Sequence, residues 1–462
     1  MVLRDLVERF EKEAPVCVMV RAALENVFAA ERLDAIFEKS AKQQRSGELL
    51  FSTVADIMAA VVCQIRPSVN AAYRAQKDEI GKTVKSIYDK LSGIEPAVSR
   101  AMVQETAKRM RAIIEKMGSP RRELLPGYRA KILDGNHLRR TDRRIGELRE
   151  INGAPLPGQA LVVLDPQLMM VSDVIPCEDG HAQERSLLPQ ILETVQRGEV
   201  WIADRNFCTG GFLFGISARR AHFIIREHAS TPSRELVGRC RKICRGGTGI
   251  IYEQKMRIWD AEGNEKVIRR ITVKLNEPTR DGETEIHILT NLPQKVTPLA
   301  IANVYGNRWT IETAFQEMAE NLNSEIRTLG YPKAALFGFC MGLVMYNILS
   351  VVKAAVRAAH GEHAGEKIST YYMADEIAGT YRGMMIAVGE KYWTKQFASL
   401  TPTQMARTLI AIAKRIRLSR YAKNPWRPKK NPDKKMSKKN RRHVSTARIL
   451  KKRIQPSNGV KC

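Results

Sequence analysis

The feature that most constrains this chain is a change of hydrophobic period near Leu125-Pro126-Gly127. Up to Met117 the apolar residues recur at helical spacing among plentiful Ala, Glu, Lys and Arg. Beyond the Pro-Gly turn they come in short runs instead: AKILDGNHL, then QALVVLD and LMMVSDVIP with a turn at Asp165-Pro166, then VWIADRNF and HFIIREH. ERSLLPQILETVQRG, closed by Gly198, and TGGFLFGISARR read as helices between the later runs. Three strands, a helix, a strand, a helix and a strand follow the ribonuclease-H-like order, so an α/β domain is expected after a helical N-terminal region. In that order the first and fourth strands lie side by side. Asp134 and Asp204, each near the end of its run, would then be neighbours although remote in sequence.

A third carboxylate stands on a helix expected over residues 301–320. Ile311, Phe315, Met318 and Leu322 mark its buried face, and Tyr305, Arg308 and Glu312 line an adjoining stripe. A lone Glu–Arg pair is ordinarily a solvated helix face. Beside two strand-borne aspartates it becomes part of a site suited to divalent ions: oxygen ligands hold two cations ~4 Å apart, and these clamp the attacking and leaving oxygens of a phosphoryl transfer. Asp165 and Asp173 compete for such a role, but Asp165 at a hairpin tip reads as a turn residue. Arg205 beside Asp204 could simply neutralise a structural Asp.

Tyr305-x2-Arg308-x3-Glu312, within YGNRWTIETAF, resembles the signature helix of the DDE transposases of bacterial insertion sequences, in the group defined by Tyr-x2-Arg-x3-Glu-x6-Lys. DGN at Asp134 and ADRNF at Asp204 resemble that group's two Asp motifs. The likeness spans roughly residues 47–452. One position departs, since the signature Lys would fall at Ala319. The resemblance implies a Mg²⁺-dependent enzyme (Mn²⁺ as a substitute) with Asp134, Asp204 and Glu312 as catalytic metal ligands. It also implies Tyr305 and Arg308 on DNA phosphate, cut-and-paste transfer through a hairpin intermediate, and a synaptic homodimer.

Charge agrees with a nucleic-acid partner. Lys and Arg number 76 against 49 Asp and Glu, for a net charge of +27, and a polyanion is the expected ligand, DNA before an anionic membrane. Aromatics at 6% argue against a single-strand binder built on base stacking. Eight scattered Cys and no secretory signal suggest a reduced, cytoplasmic, nucleoid-associated setting. Cys240 with Cys244, and His360 with His363, lack a second pair and read as structural. Residues 334–352 are nearly long enough to span a bilayer, but Asn347, Ser350 and two Gly favour a buried core helix behind the catalytic domain.

The expected organisation is a helical DNA-binding domain (1–120), two catalytic segments (126–230 and 297–360) around an inserted β domain (231–296), C-terminal helices (361–422) and a basic tail (423–462). Residues 68–91 could form a helix-turn-helix with Thr83, Lys85 and Ser86 near a groove, although such pairs more often only pack. In the insert, Ile271, Val273 and Leu275 alternate with polar neighbours as in a half-buried strand. Arg239, Arg241, Lys242, Arg245, Arg269 and Arg270 are its DNA-binding candidates. Arg226, after the last strand of the first segment, is a candidate phosphate contact. The tail, with Lys429, Lys430, Lys434 and Lys435, should bind nucleic acid without sequence preference. The reading is a transposase. A ribonuclease-H-like nuclease without strand transfer and a decayed DNA-binding protein are its rivals.

Overall fold

The computed structural model describes residues 2–45, 47–138, 145–148, 154–228, 234–279, 282–423 and 443–454. Nine strands form one mixed sheet: β1 (Arg129–His137), β3 (Gln159–Asp165), β4 (Met170–Cys177), β5 (Glu199–Ala203), β6 (His222–Arg226), β7 (Arg234–Arg245), β8 (Gly249–Trp259), β9 (Glu265–Leu275) and β10 (Glu285–Thr290). Two short strands, β2 (Ala154–Leu156) and β11 (His443–Ser445), pair separately. The order across the large sheet is β4-β3-β1-β5-β6-β10-β9-β8-β7. β1 and β5 are parallel neighbours, as the order of elements led one to expect. The strands of residues 234–290 do not build a sheet of their own. β10 pairs antiparallel with β6, so the long β7–β9 strands extend the sheet that carries Asp134 and Asp204.

The central strands are apolar on both sides because both sides are covered. Ile132, Ile202 and Ile224 belong to the larger core. Their odd-numbered neighbours Leu133, Trp201 and Phe223 enter a smaller one with Phe207, Phe212 and Ile216. Alternation with period two separates the faces, which explains why these runs read as continuous hydrophobic stretches.

The larger core is organised around the Pro332–His360 helix, which packs against helices Phe51–Val62 and Pro96–Met117 and against β4. Among the described residues it is the one helix long and apolar enough to cross a bilayer, and its most apolar window is wholly buried in protein. Its polar residues explain the burial. β4 is the end strand of the sheet, and the Asn347 side chain meets it as another strand would. Its Oδ1 accepts from Val171 N at 2.7 Å and its Nδ2 donates to Val171 O at 2.8 Å. Ser350 Oγ donates to Met169 O at 2.6 Å. Gly342 permits close approach, since a Cβ there would lie 2.5 Å from that of Ser324. Asn347→Leu leaves a buried N–H and C=O of Val171 without partners and should cost about 2–4 kcal/mol, read as a lower denaturation midpoint.

The N-terminal region is helical throughout its described residues, as expected. In residues 68–93 three helices appear, Val69–Ala75, Lys77–Ile80 and Val84–Gly93, with Gly81 at φ +62 ending the second. Thr83 and Ser86 are engaged at the third helix's N-terminus, where Thr83 Oγ1 accepts from Ser86 N at 3.2 Å.

Candidate active site

β1 and β5 run in register through Leu133 opposite Ala203, so the next residues, Asp134 and Asp204, lie side by side where the parallel pairing stops. By alternation both belong to the face of Ile132 and Ile202, and so does Arg226, two residues after Ile224. That face receives the residue 298–321 segment. Two details differ from expectation. Asp134 does not end its strand: β1 continues to His137, and Gly135 makes no turn. Gly135 instead leaves room for Glu184, whose Oε1 would lie 2.0 Å from an added Cβ. Nor is the signature segment one helix. Pro298–Gly306 ends, Asn307 and Arg308 form a turn, and Trp309–Asn321 follows.

The break places Arg308 between the carboxylates. Its Nη1 donates to Asp134 Oδ2 at 3.3 Å and forms an ion pair with Glu312 Oε1 at 2.8 Å, so two of the three acidic side chains lie within reach of one nitrogen. The guanidinium also lies 4.8 Å from the ring centre of the exposed Trp309, while its buried Nε has no hydrogen-bond partner among the described residues. Asp134 Oδ1 accepts from the backbone N of Gly135 at 2.9 Å. Burial, opposed by Arg308 and Gly135 and reinforced by Glu312 and Asp204, pushes the Asp134 carboxyl up to about 7. Burial and the charge of Asp204 push the Tyr305 phenol up to about 12, against the pull of Arg308 and Arg226. It is a neutral donor at any ordinary pH.

Arg226 and Arg205 both pair with Glu283, the latter at 3.0 Å, on the turn before β10. Arg205 therefore neutralises Glu283, leaving Asp204 to its neighbours. Glu283 holds Arg226 beside Tyr305 and Asp204. No pattern in the sequence pointed to Glu283, one of three acids within residues 281–285. Asp165 and Asp173 are accounted for elsewhere. Asp165 is buried among Arg111, Arg129 and Lys131 while accepting from Gln167 N and Leu168 N, and Asp173 is paired by Arg100.

Among the DNA-binding candidates, Arg269 is corrected to a structural residue. It is 5% exposed, pairs with Glu253 at 2.6 Å and donates to the carbonyls of Leu292, Pro293 and Val296. Its remaining Nη2 is buried away from solvent and has no hydrogen-bond partner among the described residues. Arg270 is half-buried on Glu227 at 2.6 Å. Arg239, Arg241, Lys242 and Arg245 by contrast stand exposed on β7, the other end strand of the sheet. Lys429, Lys430, Lys434 and Lys435 lie outside the described residues. His360 Nε2 lies 2.8 Å from Ala413 O, and the described cysteines form no disulfide.

Residues 126–348 match the family model for the transposase DDE domain. The chain is accordingly an enzyme that acts on DNA by strand cleavage and transfer, a recombination reaction for which DDE transposases generally depend on divalent metal. No curated protein matches the chain in sequence. Among solved structures, a piggyBac transposase synaptic complex with hairpin DNA is similar at a TM-score of 0.38 and 10% identity, covering 86% of this chain and 84% of that one.

The donor set suits a hard divalent cation: three carboxylates, one of them buried short of compensating charge. Among the described residues no three acidic, His or Cys side chains are gathered closely enough to chelate an ion as they stand. Arg308 occupies the space between two of them. A cation shared by Asp134 and Glu312 would have to displace Arg308 from one of them.

Proposed function

We propose that this chain is the transposase of an insertion sequence of the Tyr-x2-Arg-x3-Glu group, with a ribonuclease-H-like catalytic unit, that cuts DNA at its element's ends and joins the 3′-OH ends to target DNA. The observation that carries the reading is Arg308 touching both Asp134 and Glu312, with Asp204 just past the end of the adjoining parallel strand, inside the matched segment. Asp134, Asp204 and Glu312 would hold Mg²⁺ or Mn²⁺. A pair of such ions supplies activation of the attacking oxygen and neutralisation of the leaving one.

The protein's own groups do the rest. In the first step water attacks the scissile phosphorus and the P–O3′ bond breaks, leaving a 3′-OH. In the second, that hydroxyl attacks a target phosphodiester and displaces its 3′-oxygen. Arg308, released from a carboxylate, offers a planar fork to the phosphate that replaces it. Tyr305 donates as a neutral phenol, and Arg226, steadied by Glu283, adds a cation on the same face. Exchange of carboxylate for phosphate on Arg308 makes metal entry and substrate entry mutually supporting.

DNA end binding falls to the helical N-terminal region, to the exposed basic edge of β7 and to Arg270, with the tail lysines adding affinity that declines steeply with salt. A homodimer would pair two ends. A gel assay with a 3′-OH element end and a target plasmid tests the function. Joined products in Mg²⁺ are expected. Cleavage without joining would make the protein a nuclease instead, and neither reaction would mean a decayed site.

A further inference from the structure

Beside the Gly306–Trp309 turn, a cavity of about 340 Å³ whose lining includes none of Asp134, Asp204 and Glu312 opens between the Trp309–Asn321 and Pro332–His360 helices. Arg121, Lys353, Arg357 and Lys423 line it, against only two carboxylates, Glu317 and Glu366. Each carboxylate is already engaged. Glu317 accepts from Lys353 at 3.4 Å and from Thr370 Oγ1 at 2.8 Å, and Glu366 lies 3.7 Å from Arg121. Arg357 is 5% exposed and its Nε donates to Ser119 O at 3.2 Å, yet its buried Nη2 has no hydrogen-bond partner among the described residues. The same is true of Arg121 Nε. A buried guanidinium nitrogen without an acceptor pays an uncompensated desolvation cost, which an anion entering the cavity would relieve.

We propose that this cavity binds a phosphate dianion, free or as the 5′-monophosphate terminus of a DNA strand. Four cations against two carboxylates leave an excess of two positive charges, which matches a phosphate monoester better than the single charge of an internal phosphodiester. Guanidinium and ammonium donors on several sides suit a tetrahedral oxyanion. The volume admits a phosphate with an attached sugar and excludes a duplex. Burial, and then Arg121, hold the Arg357 guanidinium down at about 10, and burial lowers the Lys353 ammonium, as expected of cations whose anion is missing. Gly306, Asn307 and Trp309 line the cavity, and Arg308 between them reaches Asp134, so the site reports on the same turn without sharing the acidic residues.

The test titrates the full-length protein with inorganic phosphate by calorimetry. In parallel, a short duplex is compared with and without a 5′-phosphate. Saturable one-to-one phosphate binding is expected. It should weaken about tenfold or more in Arg357→Gln and about threefold or more in Lys423→Gln, at the mouth, and persist in Asp134→Asn. If a DNA end is the source, the 5′-phosphorylated duplex binds more tightly than the 5′-hydroxyl one, and both variants bring the ratio towards one. No phosphate binding and no 5′-phosphate preference, or binding indifferent to both variants, overturns the proposal. Should Arg357→Gln fail to fold, Lys423→Gln alone decides. The readout is binding, so loss of strand transfer with phosphate binding intact would sink the transposase reading and leave this site standing.

Discussion

Asp134→Asn is expected to slow metal-dependent strand cleavage by about a thousandfold or more while leaving DNA binding within a few fold of the parent. The substitution keeps size and shape, and the Asn carbonyl can still accept from Gly135 N as the Asp134 Oδ1 does. What it removes is one full negative charge from the divalent-ion ligands. Loss of about 4 kcal/mol of charge stabilisation at the reacting phosphate corresponds to a factor of ~10³ in rate, each 1.36 kcal/mol being tenfold. Glu312→Gln should behave alike, since its Oε1 shares the same Arg308 nitrogen. Asp165→Asn is the informative contrast: it strands Arg111, Arg129 and Lys131 without a partner, so it should lower stability and touch cleavage only through folding. Single-turnover cleavage of an end-labelled duplex, with Mg²⁺ varied at each step, separates these outcomes. If Asp134→Asn cleaves within tenfold of the parent at saturating metal, the carboxylate is not a ligand and the assignment fails.

How far the sequence foretold this site depends on which physical signal each residue carried. The strand-borne acids were legible because a charged residue at the end of a buried apolar run must meet either water or a counter-charge. Parallel pairing of the first and fourth main strands followed from the order of elements alone. The core helix was legible too, through Asn347 and Ser350, which an apolar span would not retain without partners. The break at Asn307-Arg308 was not. Neither residue disrupts a helix strongly, and the turn arises from what the segment meets in three dimensions, where Arg308 bridges β1 and its own helix. Arg269 misled for a similar reason. Alternation along β9 cannot tell a basic residue facing solvent from one buried on Glu253, since the latter pairing spans two strands. Glu283 and Glu184 carried no local pattern at all, and their roles appear only once Arg226 and Gly135 are neighbours in space.

Freed of divalent metal, the protein should lose stability as pH rises from about 4 towards 7 and above, and Asp134 should be the cause. Its carboxyl moves from an ordinary 3.8 to about 7 in the folded chain, chiefly through burial, so folding takes up a proton in that interval. A raised acid contributes its full share below the unfolded value and loses it as pH climbs through the folded one. A shift of that size is worth on the order of 4 kcal/mol at alkaline pH, since each unit is 1.36 kcal/mol. Other groups titrate nearby: burial also pushes Asp56 up to about 7 and lowers the imidazole of His222, which acts in the opposite sense. The decisive quantity is therefore the difference between parent and Asp134→Asn, measured as Tm against pH in chelator. That difference should grow by several degrees between pH 5 and pH 8, with the variant the more stable at the upper end. Mg²⁺ should then raise the Tm of the parent at pH 8 and do little for the variant, because a bound cation favours the ionised carboxylate. Superimposable pH profiles would mean that Arg308 alone satisfies Asp134, and the site would then hold no unmet negative charge for a metal to answer.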